Sequence, residues 1–239
     1  MLRAMLPFAP PLTVVVPAYN ERENLPRVLG ELTDWLDRNA RDFEVLVVDD
    51  GSRDGTREVV KSGGHVRVIA HEVNRGLTAT LRTGFFAADR QFVTWVPADG
   101  QIAAPELGKI LDAWNDHDLV LSTYEHRPDG WQRALMSRTL RLMLRVMTGL
   151  EDRLEGTYLI RRALLDELDL VARTSAGSIG FEIAAKMRAL GLRIGTTEIA
   201  CAPRLSGSSK VANARNVTAY LGELWRIRRS LKRLRARAP

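Results

Sequence analysis

The chain of 239 residues is 45% hydrophobic and carries a formal net charge of +6, which is enough apolar content for one globular domain with its own core. Its single cysteine, Cys201, excludes an internal disulfide and a cluster of thiolate metal ligands, and it indicates a reducing compartment. No apolar stretch approaches the roughly 20 residues that a membrane-spanning helix needs, so an integral membrane protein is not expected.

The first fifty residues predict a strand, a helix and a second strand. Apolar and β-branched residues at 12–16 predict the first strand, which ends in a loop at 17–21, and residues 43–48 predict the second. Between them, apolar residues three and four positions apart predict a helix with Asn24 as its cap: Leu25, Val28, Leu29, Leu32, Trp35 and Leu36. Because such a unit pairs its strands in parallel, the loops after both strands are expected at one edge of the sheet.

The second strand ends in two adjacent carboxylates, Asp49 and Asp50, followed by the turn residues Gly51 and Ser52. A strand that ends in this way delivers acidic side chains to the carboxyl edge of a sheet, where open α/β folds bind nucleotides. The alternative interpretation is that the two aspartates cap a helix starting near Thr56 and flank a tight turn.

Together, Val-Pro-Ala-Tyr-Asn-Glu at 16–21 and Val-Asp-Asp-Gly-Ser-Arg-Asp-Gly-Thr at 48–56 resemble the nucleotide-sugar half of the family-two glycosyltransferases, which have the GT-A fold. The resemblance extends over about residues 10–215. It implies an α/β fold with a Rossmann-like, mixed but mostly parallel sheet flanked by helices, in a catalytic domain at 1–215. It also implies a pocket for the nucleotide lined by Pro17, Tyr19, Glu21, Asp49, Asp50, Ser52 and Asn74.

A strand predicted at 92–96 leads into Pro-Ala-Asp-Gly-Gln at 97–101, where the family carries an aspartate, any residue, aspartate motif that holds a divalent metal against the donor diphosphate. Pro97 replaces the first aspartate, so the resemblance leaves Asp99 and Gln101 as the metal ligands, with Ala98 beside them at the donor. Mg²⁺ or Mn²⁺ is the expected ion, since such a cation can bind through one carboxylate plus substrate phosphates. The alternative for Asp99 is a turn residue before Gly100.

The acceptor side is similar to the polyprenyl-phosphate glycosyltransferases. Arg133 and Ser137 lie four residues apart on a predicted helix, hence on one face, where they can clamp a phosphate. After a strand predicted at 119–122, Thr123 and Tyr124 stand where those enzymes usually carry an arginine.

A last strand, predicted at 195–199, leads into a segment containing Arg204, Ser209 and Lys210, which matches a signature of the polyprenyl-phosphate mannose and glucose synthases. Gly207 lets the backbone approach an anion closely, so this loop is expected to close over a diphosphate, with Ser209 at the donor. A flexible, solvated loop is the alternative.

The net charge of the chain lies in the tail at 216–239. Seven cations between Arg226 and Arg237 leave 28 basic against 29 acidic residues in the rest of the chain, so specific nucleic-acid binding is not expected. Apolar residues recur at helical spacing through the same segment: Val217, Leu221, Leu224, Ile227, Leu231 and Leu234. Such a basic amphipathic helix is typical of a segment lying on an anionic membrane surface, and a terminal helix docked on its own domain is the alternative.

The resemblance therefore implies an inverting hexosyltransferase, peripheral on the cytoplasmic membrane face, that moves a sugar from a UDP- or GDP-sugar to a polyprenyl (dolichyl-type) phosphate. A phosphate acceptor needs no strong base, so the site mainly aligns it and stabilises the leaving diphosphate. Asp99 with its metal, Arg204 and Lys210 are expected to stabilise that leaving group, and Arg133 and Ser137 to position the acceptor.

The terminal helix could also serve an oligomer. Three other functions are alternatives. One is a nucleotidyltransferase, which uses similar carboxylates at a sheet edge, but the glycine-rich loop with arginine and lysine that is typical of such enzymes is absent from the first turn. The second is a related glycosyltransferase with a soluble small-molecule acceptor, for which Glu151, Asp152 and Glu155 are candidate bases. The third is a nucleotide-sugar binding protein that has lost turnover, which the proline at position 97 makes conceivable.

Overall fold

A computed structural model of the chain describes residues 8–125, 142–151, 153–173, 178–202 and 215–237. Its strands are β1 (Leu12–Ala18), β2 (Phe43–Asp49), β3 (Val66–Ala70), β4 (Phe92–Trp95), β5 (Leu119–Tyr124), β6 (Tyr158–Arg161) and β7 (Ile194–Ile199). Its helices are α1 (Leu25–Asn39), α2 (Leu77–Ala87), α3 (Ala104–Asp112), α4 (142–148), α5 (Arg162–Glu167), α6 (Ser178–Ala189) and α7 (Arg215–Arg237).

The strands form one seven-stranded sheet in the order β3-β2-β1-β4-β6-β5-β7. Only β6 runs antiparallel to its two neighbours, β4 and β5, whereas every other pair is parallel. This confirms the prediction of a mixed, mostly parallel α/β sheet.

Both faces of the sheet are covered, which explains why its central strands are continuous apolar runs. Alternate residues of β1 enter two different cores: Val14 and Val16 pack beneath α1 and α3, and Val15 packs on the side of α2 and α6. All three valines are 0% exposed.

The prediction for α1 is confirmed in position, but its cap is wrong. The Asn24 side chain makes no capping hydrogen bond, and its amide donates instead to Glu21 Oε2 at 2.7 Å. The helix suggested near Thr56 is also wrong, because residues 56–59 form a turn.

The strand β3 and the helices α3 and α5 were not predicted. In β3 a charged Arg67 interrupts the apolar residues, and the strand lies at the edge of the sheet, where it pairs only with β2. Such a strand is half exposed and does not show the continuous apolar run of a central strand.

Candidate active site

The carboxyl ends of β2, β1 and β4 lie side by side at one edge of the sheet, because these strands are parallel neighbours. The loops that follow them, at 19–24, 50–57 and 96–101, therefore open at the same edge, which is where α/β folds bind nucleotides. Pro17 lies within β1 opposite Val48, and Tyr19 follows directly after that strand, half-buried.

Hydrogen bonds between backbone and side chains join the first two loops. Asn20 N–H donates to Ser52 Oγ at 2.9 Å, and Arg53 N–H donates to Asn20 Oδ1 at 3.0 Å. Glu21 N–H donates to Thr56 Oγ1 at 2.8 Å, and Thr56 is fully buried. Ser52 and Thr56 therefore fix the shape of the loop that carries Glu21.

Asp54 strengthens the same junction. Its carboxylate accepts the backbone N–H groups of Arg22, at 3.2 Å, and Thr56, at 2.9 Å, and also accepts the Thr56 hydroxyl. Partial burial acts to raise the pKa of Asp54, but these hydrogen bonds to the charged form outweigh it, so the pKa lies below its usual value.

Asp50 organises the loop after β3. Its Oδ1 accepts the Arg75 N–H at 2.9 Å, and its Oδ2 accepts the Gly76 N–H at 2.8 Å. His71 Nδ1 lies 2.7 Å from Asp50 Oδ1, and His71 Nε2 lies 2.9 Å from Thr83 Oγ1. An ionised carboxylate only accepts, so the ring proton belongs on Nδ1, and in the neutral ring Nε2 accepts from the Thr83 hydroxyl.

Asp49 has a different environment from Asp50. It is 4% exposed, and its Oδ1 accepts the Ser52 N–H at 3.2 Å, the single side-chain hydrogen bond that it makes within the described residues. With three donors on Asp50 and one on Asp49, Asp49 retains more capacity to accept a hydrogen bond from a nucleoside.

The loop carrying Asn74 passes very close to Gly51. A Cβ at Gly51 would lie 2.5 Å from the carbonyl carbon of Val73 and 2.7 Å from Asn74 N, and Gly51 has φ +72°. Only glycine allows both this conformation and this approach. The close contact places Asn74, which is exposed, beside the two-aspartate turn.

In the loop after β4, Asp99 is 7% exposed and its Oδ1 accepts the Gln101 backbone N–H at 3.1 Å. The chain after β7 reaches the same place, since Ala202 N–H donates to Gln101 O at 2.8 Å and Gln101 Nε2 lies 3.8 Å from Cys201 Sγ. Asp99 and Gln101 are thus brought together, and the chain leading to Arg204 is brought beside them.

The residues at 97–101 fit a hard divalent cation in one respect. A carboxylate has about four acceptor positions, so the hydrogen bond at Asp99 Oδ1 is compatible with metal coordination by the same group. Within the described ranges, however, no three His, Cys, Asp or Glu side chains are grouped to hold a metal. A metal here would depend on Asp99, an amide oxygen, water and substrate phosphates.

Several predicted site residues lie outside the described residues: Arg133, Ser137, Asp152, Arg204, Ser209 and Lys210. On the described acceptor side, Tyr124 ends β5 at the same sheet edge, and its N–H donates to Glu155 Oε2 at 3.4 Å. Glu151 pairs with Arg145 at 3.1 Å on the surface. Of the two candidate bases that the structure describes, Glu155 is therefore the one held at this edge.

Sequence reasoning missed His71 and Thr83. His71 directly follows β3, and the parallel register of β2 and β3 pairs Asp49 with Ala70. The position of His71 beside the two aspartates could have been predicted from the sequence, but only if residues 66–70 had been recognised as a strand.

Comparison with known proteins gives a consistent result. The model of the family "Glycosyl transferase family 2" matches residues 13–169. Polyprenol monophosphomannose synthase of Mycolicibacterium smegmatis is 32% identical over 243 residues, which cover 93% of this chain and 89% of that protein. Undecaprenyl-phosphate 4-deoxy-4-formamido-L-arabinose transferase of Aeromonas hydrophila is 29% identical over 66% of this chain, which spans only about half, 51%, of that transferase.

Among solved structures, glucosyl-3-phosphoglycerate synthase from Mycobacterium tuberculosis, in complex with Mn²⁺, UDP and glucosyl-3-phosphoglycerate, has the same fold. Its TM-score is 0.63 at 20% identity, over 95% of this chain and 80% of that one. This likeness supports the GT-A architecture of the sheet.

Proposed function

The chain belongs to glycosyl transferase family 2, and on this premise we propose that it moves a hexose from a UDP- or GDP-sugar to a polyprenyl (dolichyl-type) phosphate. One observation carries the choice of acceptor: the mycobacterial relative named a polyprenol monophosphomannose synthase aligns with 93% of this chain. We assign catalysis to residues 1–215 and treat 216–239 as a helical tail.

In this proposal the donor nucleoside lies against the edge formed by β1 and β2. Pro17, Tyr19 and Glu21 line one side, and Asp49 accepts a hydrogen bond from the nucleoside. Asp50 and Ser52 act mainly by holding the surrounding loops, since three donors reach Asp50 and the Asn20 N–H reaches Ser52. Asn74 completes the pocket from the loop that Asp50 fixes.

The diphosphate then lies toward Ala98 and Asp99. Asp99 and the side-chain oxygen of Gln101 would hold Mg²⁺ or Mn²⁺, which when bound neutralises charge on the diphosphate. Arg204, Ser209 and Lys210 would close over the same group. The hydrogen bond from Ala202 N–H to Gln101 O supports this role, because Ala202 lies two residues before Arg204 in the sequence. The cations stabilise charge that develops on the leaving group.

The reaction is a single displacement. An oxygen of the acceptor phosphate forms a bond to the anomeric carbon, the bond from that carbon to the diphosphate breaks, and its electron pair leaves on the diphosphate oxygen. In-line attack from the opposite face inverts the anomeric configuration. Arg133 and Ser137 would hold the acceptor phosphate in line, and because it is already anionic no base is required.

A soluble acceptor is the second candidate function. It is favoured by Thr123 and Tyr124, which stand in place of the arginine of the polyprenyl-phosphate enzymes. It is also favoured by the fold shared with glucosyl-3-phosphoglycerate synthase, whose structure contains glucosyl-3-phosphoglycerate. For a hydroxyl acceptor, Glu155 is the better placed of the two described candidate bases, because its carboxylate lies at the end of β5.

We further propose that the protein works as a peripheral protein at the cytoplasmic face of the membrane. No helix within the described residues is long and apolar enough to cross a bilayer. The basic tail supplies attraction to anionic lipid, with each cation near the headgroups contributing about 1 kcal/mol.

The test is a transfer assay with radiolabelled UDP- and GDP-sugars, Mg²⁺ or Mn²⁺, and either polyprenyl phosphate in detergent or 3-phosphoglycerate in buffer. Label in a butanol-extractable product supports the proposal. Label only in a water-soluble product supports the second candidate, and donor binding without transfer to either would assign the chain to a binding role.

A further inference from the structure

Helix α7 has two different long faces. Leu224, Ile227 and Leu231 are at most 3% exposed, and Glu223 is also buried. Ile227 and Leu231 belong to the core on the side of the sheet that α6 covers, and α6 and α7 are in contact. This part of the apolar stripe is therefore used by the protein itself and is not free to contact a membrane.

The other face of α7 exposes apolar side chains. Leu221 is 39% exposed and Trp225 is 53% exposed, and the two lie four residues apart on the same side of the helix. The Arg229 guanidinium stacks 4.3 Å from the centre of the Trp225 ring, and the exposed Lys232 continues the same side. This side of α7 therefore combines exposed apolar side chains with cations, and one of the cations lies over an aromatic ring.

Helix α4 adds a second pair. Leu142 is 62% exposed and Val146 is 66% exposed, again four residues apart. Arg228 Nη1 donates to Val146 O at 3.4 Å and so joins the two helices. Four of the six large apolar side chains exposed in the described chain lie on α4 and α7; the other two are Val73 and Leu190.

We propose that Leu142, Val146, Leu221 and Trp225, with Arg228, Arg229 and Lys232, form a docking face for an anionic lipid bilayer. Charge complementarity selects this occupant, because the cations of the tail border the apolar residues while the rest of the chain is near neutral. Tryptophan favours the boundary between headgroups and acyl chains, and arginine and lysine bind anionic headgroups.

The docking face rests on the proposed function, since a polyprenyl phosphate acceptor is itself held in a bilayer. It also corrects the prediction, made from the sequence, of which residues of the tail contact lipid. The membrane-facing residues are the exposed Leu221 and Trp225. Leu224 and Ile227, which belong to the same predicted stripe as Leu221, are buried, so their removal would disturb packing instead.

The test is co-sedimentation of the full chain with vesicles of equal parts phosphatidylcholine and phosphatidylglycerol, compared with pure phosphatidylcholine. The wild type is expected to bind the anionic vesicles. The double variant Leu221→Ser/Trp225→Ser is expected to bind on the order of tenfold more weakly while keeping its thermal midpoint. Leu190→Ser, a change at an exposed leucine elsewhere, is the control and is expected to bind as the wild type does.

A charge-matched pair sharpens the test. Arg229→Gln/Lys232→Gln and Arg226→Gln/Arg233→Gln each remove two charges, but the second pair lies about a quarter turn away from Trp225. The first pair is expected to weaken binding more; equal losses would mean that the tail acts only by its net charge and would overturn the docking face. A dimer of the wild type that Leu221→Ser/Trp225→Ser dissolves would assign the surface to a second copy instead.

Transfer in detergent separates this inference from the proposed function. If Leu221→Ser/Trp225→Ser loses vesicle binding but keeps full transfer to polyprenyl phosphate in detergent, the docking face is supported. A wild type that transfers but does not bind vesicles overturns the docking face alone, and one that binds vesicles but transfers to no acceptor overturns the proposed function alone.

Discussion

His71 Nδ1 lies 2.7 Å from Asp50 Oδ1, and the two side chains are 5% and 4% exposed. Through Asp50, this pair connects Thr83 on α2 to the backbone of Arg75 and Gly76. A buried histidine thus fixes the loop that borders the proposed donor pocket.

We expect His71→Ala to raise the KM for the donor and to lower the free energy of unfolding by about 1–3 kcal/mol, because a buried carboxylate loses a donor. His71→Asn can place an amide N–H near the position of Nδ1 and should restore most of both quantities. His71→Gln reaches toward Thr83 instead and should not. Donor KM, acceptor KM and thermal unfolding check this, and a KM for the acceptor that changes as much as that for the donor would contradict it.

Gly51→Ala should destabilise the protein by about 1–3 kcal/mol, since a left-handed backbone must then carry a side chain. The new Cβ would also meet the Val73 carbonyl carbon at 2.5 Å, so the Asn74 loop must move and donor affinity should fall. Gly30→Ala is the matched control: nothing lies within 4 Å of its Cβ position within α1, so stability should rise by roughly 0.5–1 kcal/mol. Urea unfolding of both variants tests this contrast. A free energy of unfolding that changed in the same direction in both variants would contradict the prediction.

The buried pair Lys186 and Glu182 gives a third prediction. Lys186 Nζ lies 2.6 Å from Glu182 Oε1 and donates to the carbonyls of Leu168 and Asp169. Glu182 also accepts the backbone N–H groups of Val171 and Ala172. Lys186→Met leaves the carboxylate without its buried cation and should cost about 3–5 kcal/mol.

The double variant Glu182→Gln/Lys186→Met removes both charges and should be more stable than Lys186→Met alone. As a control, Arg27→Met breaks an exposed pair with Glu31 and should leave the thermal midpoint nearly unchanged. Thermal unfolding of the four proteins decides the matter. Equal midpoints for the single and double variants would show that Glu182 is not left as an uncompensated charge.

Asp54 predicts a pH dependence. Its pKa is lowered on folding, so its contribution to stability is present above the unfolded value of 3.8 and is lost as pH falls through the lower folded value. The urea midpoint of the wild type should therefore fall below about pH 4, and Asp54→Asn should reduce the slope of that fall. If Asp54→Asn shows the same slope as the wild type, the stability lost at low pH comes from other carboxylates.

The central strands and α1 could be predicted from the sequence because their burial produces direct patterns. β1 is covered on both faces and is a continuous apolar run, and α1 buries one stripe at helical spacing. The two aspartates at the end of β2 were recognised for the same reason, since a buried strand ends immediately before them.

The contacts of the site depend on strand order and register, which periodicity does not supply. Asp50 meets His71 only because the edge strand β3 pairs in parallel with β2, and β3 lacks the pattern of a buried strand. Likewise, the spacing of Leu221, Leu224 and Ile227 predicts an amphipathic α7 but does not tell which of them the domain covers.

The most direct measurement of the central claim is transfer of labelled hexose to purified polyprenyl phosphate by the wild type, Asp99→Ala and Asp99→Asn, each with and without a chelator. Asp112→Ala, which removes an exposed carboxylate from the end of α3, is the charge-matched control. We predict that the wild type and Asp112→Ala form a butanol-extractable product and that this product disappears when the chelator is added. In both Asp99 variants the amount of product should fall at least about a hundredfold. A wild type that binds donor yet labels no lipid under any condition would contradict the account.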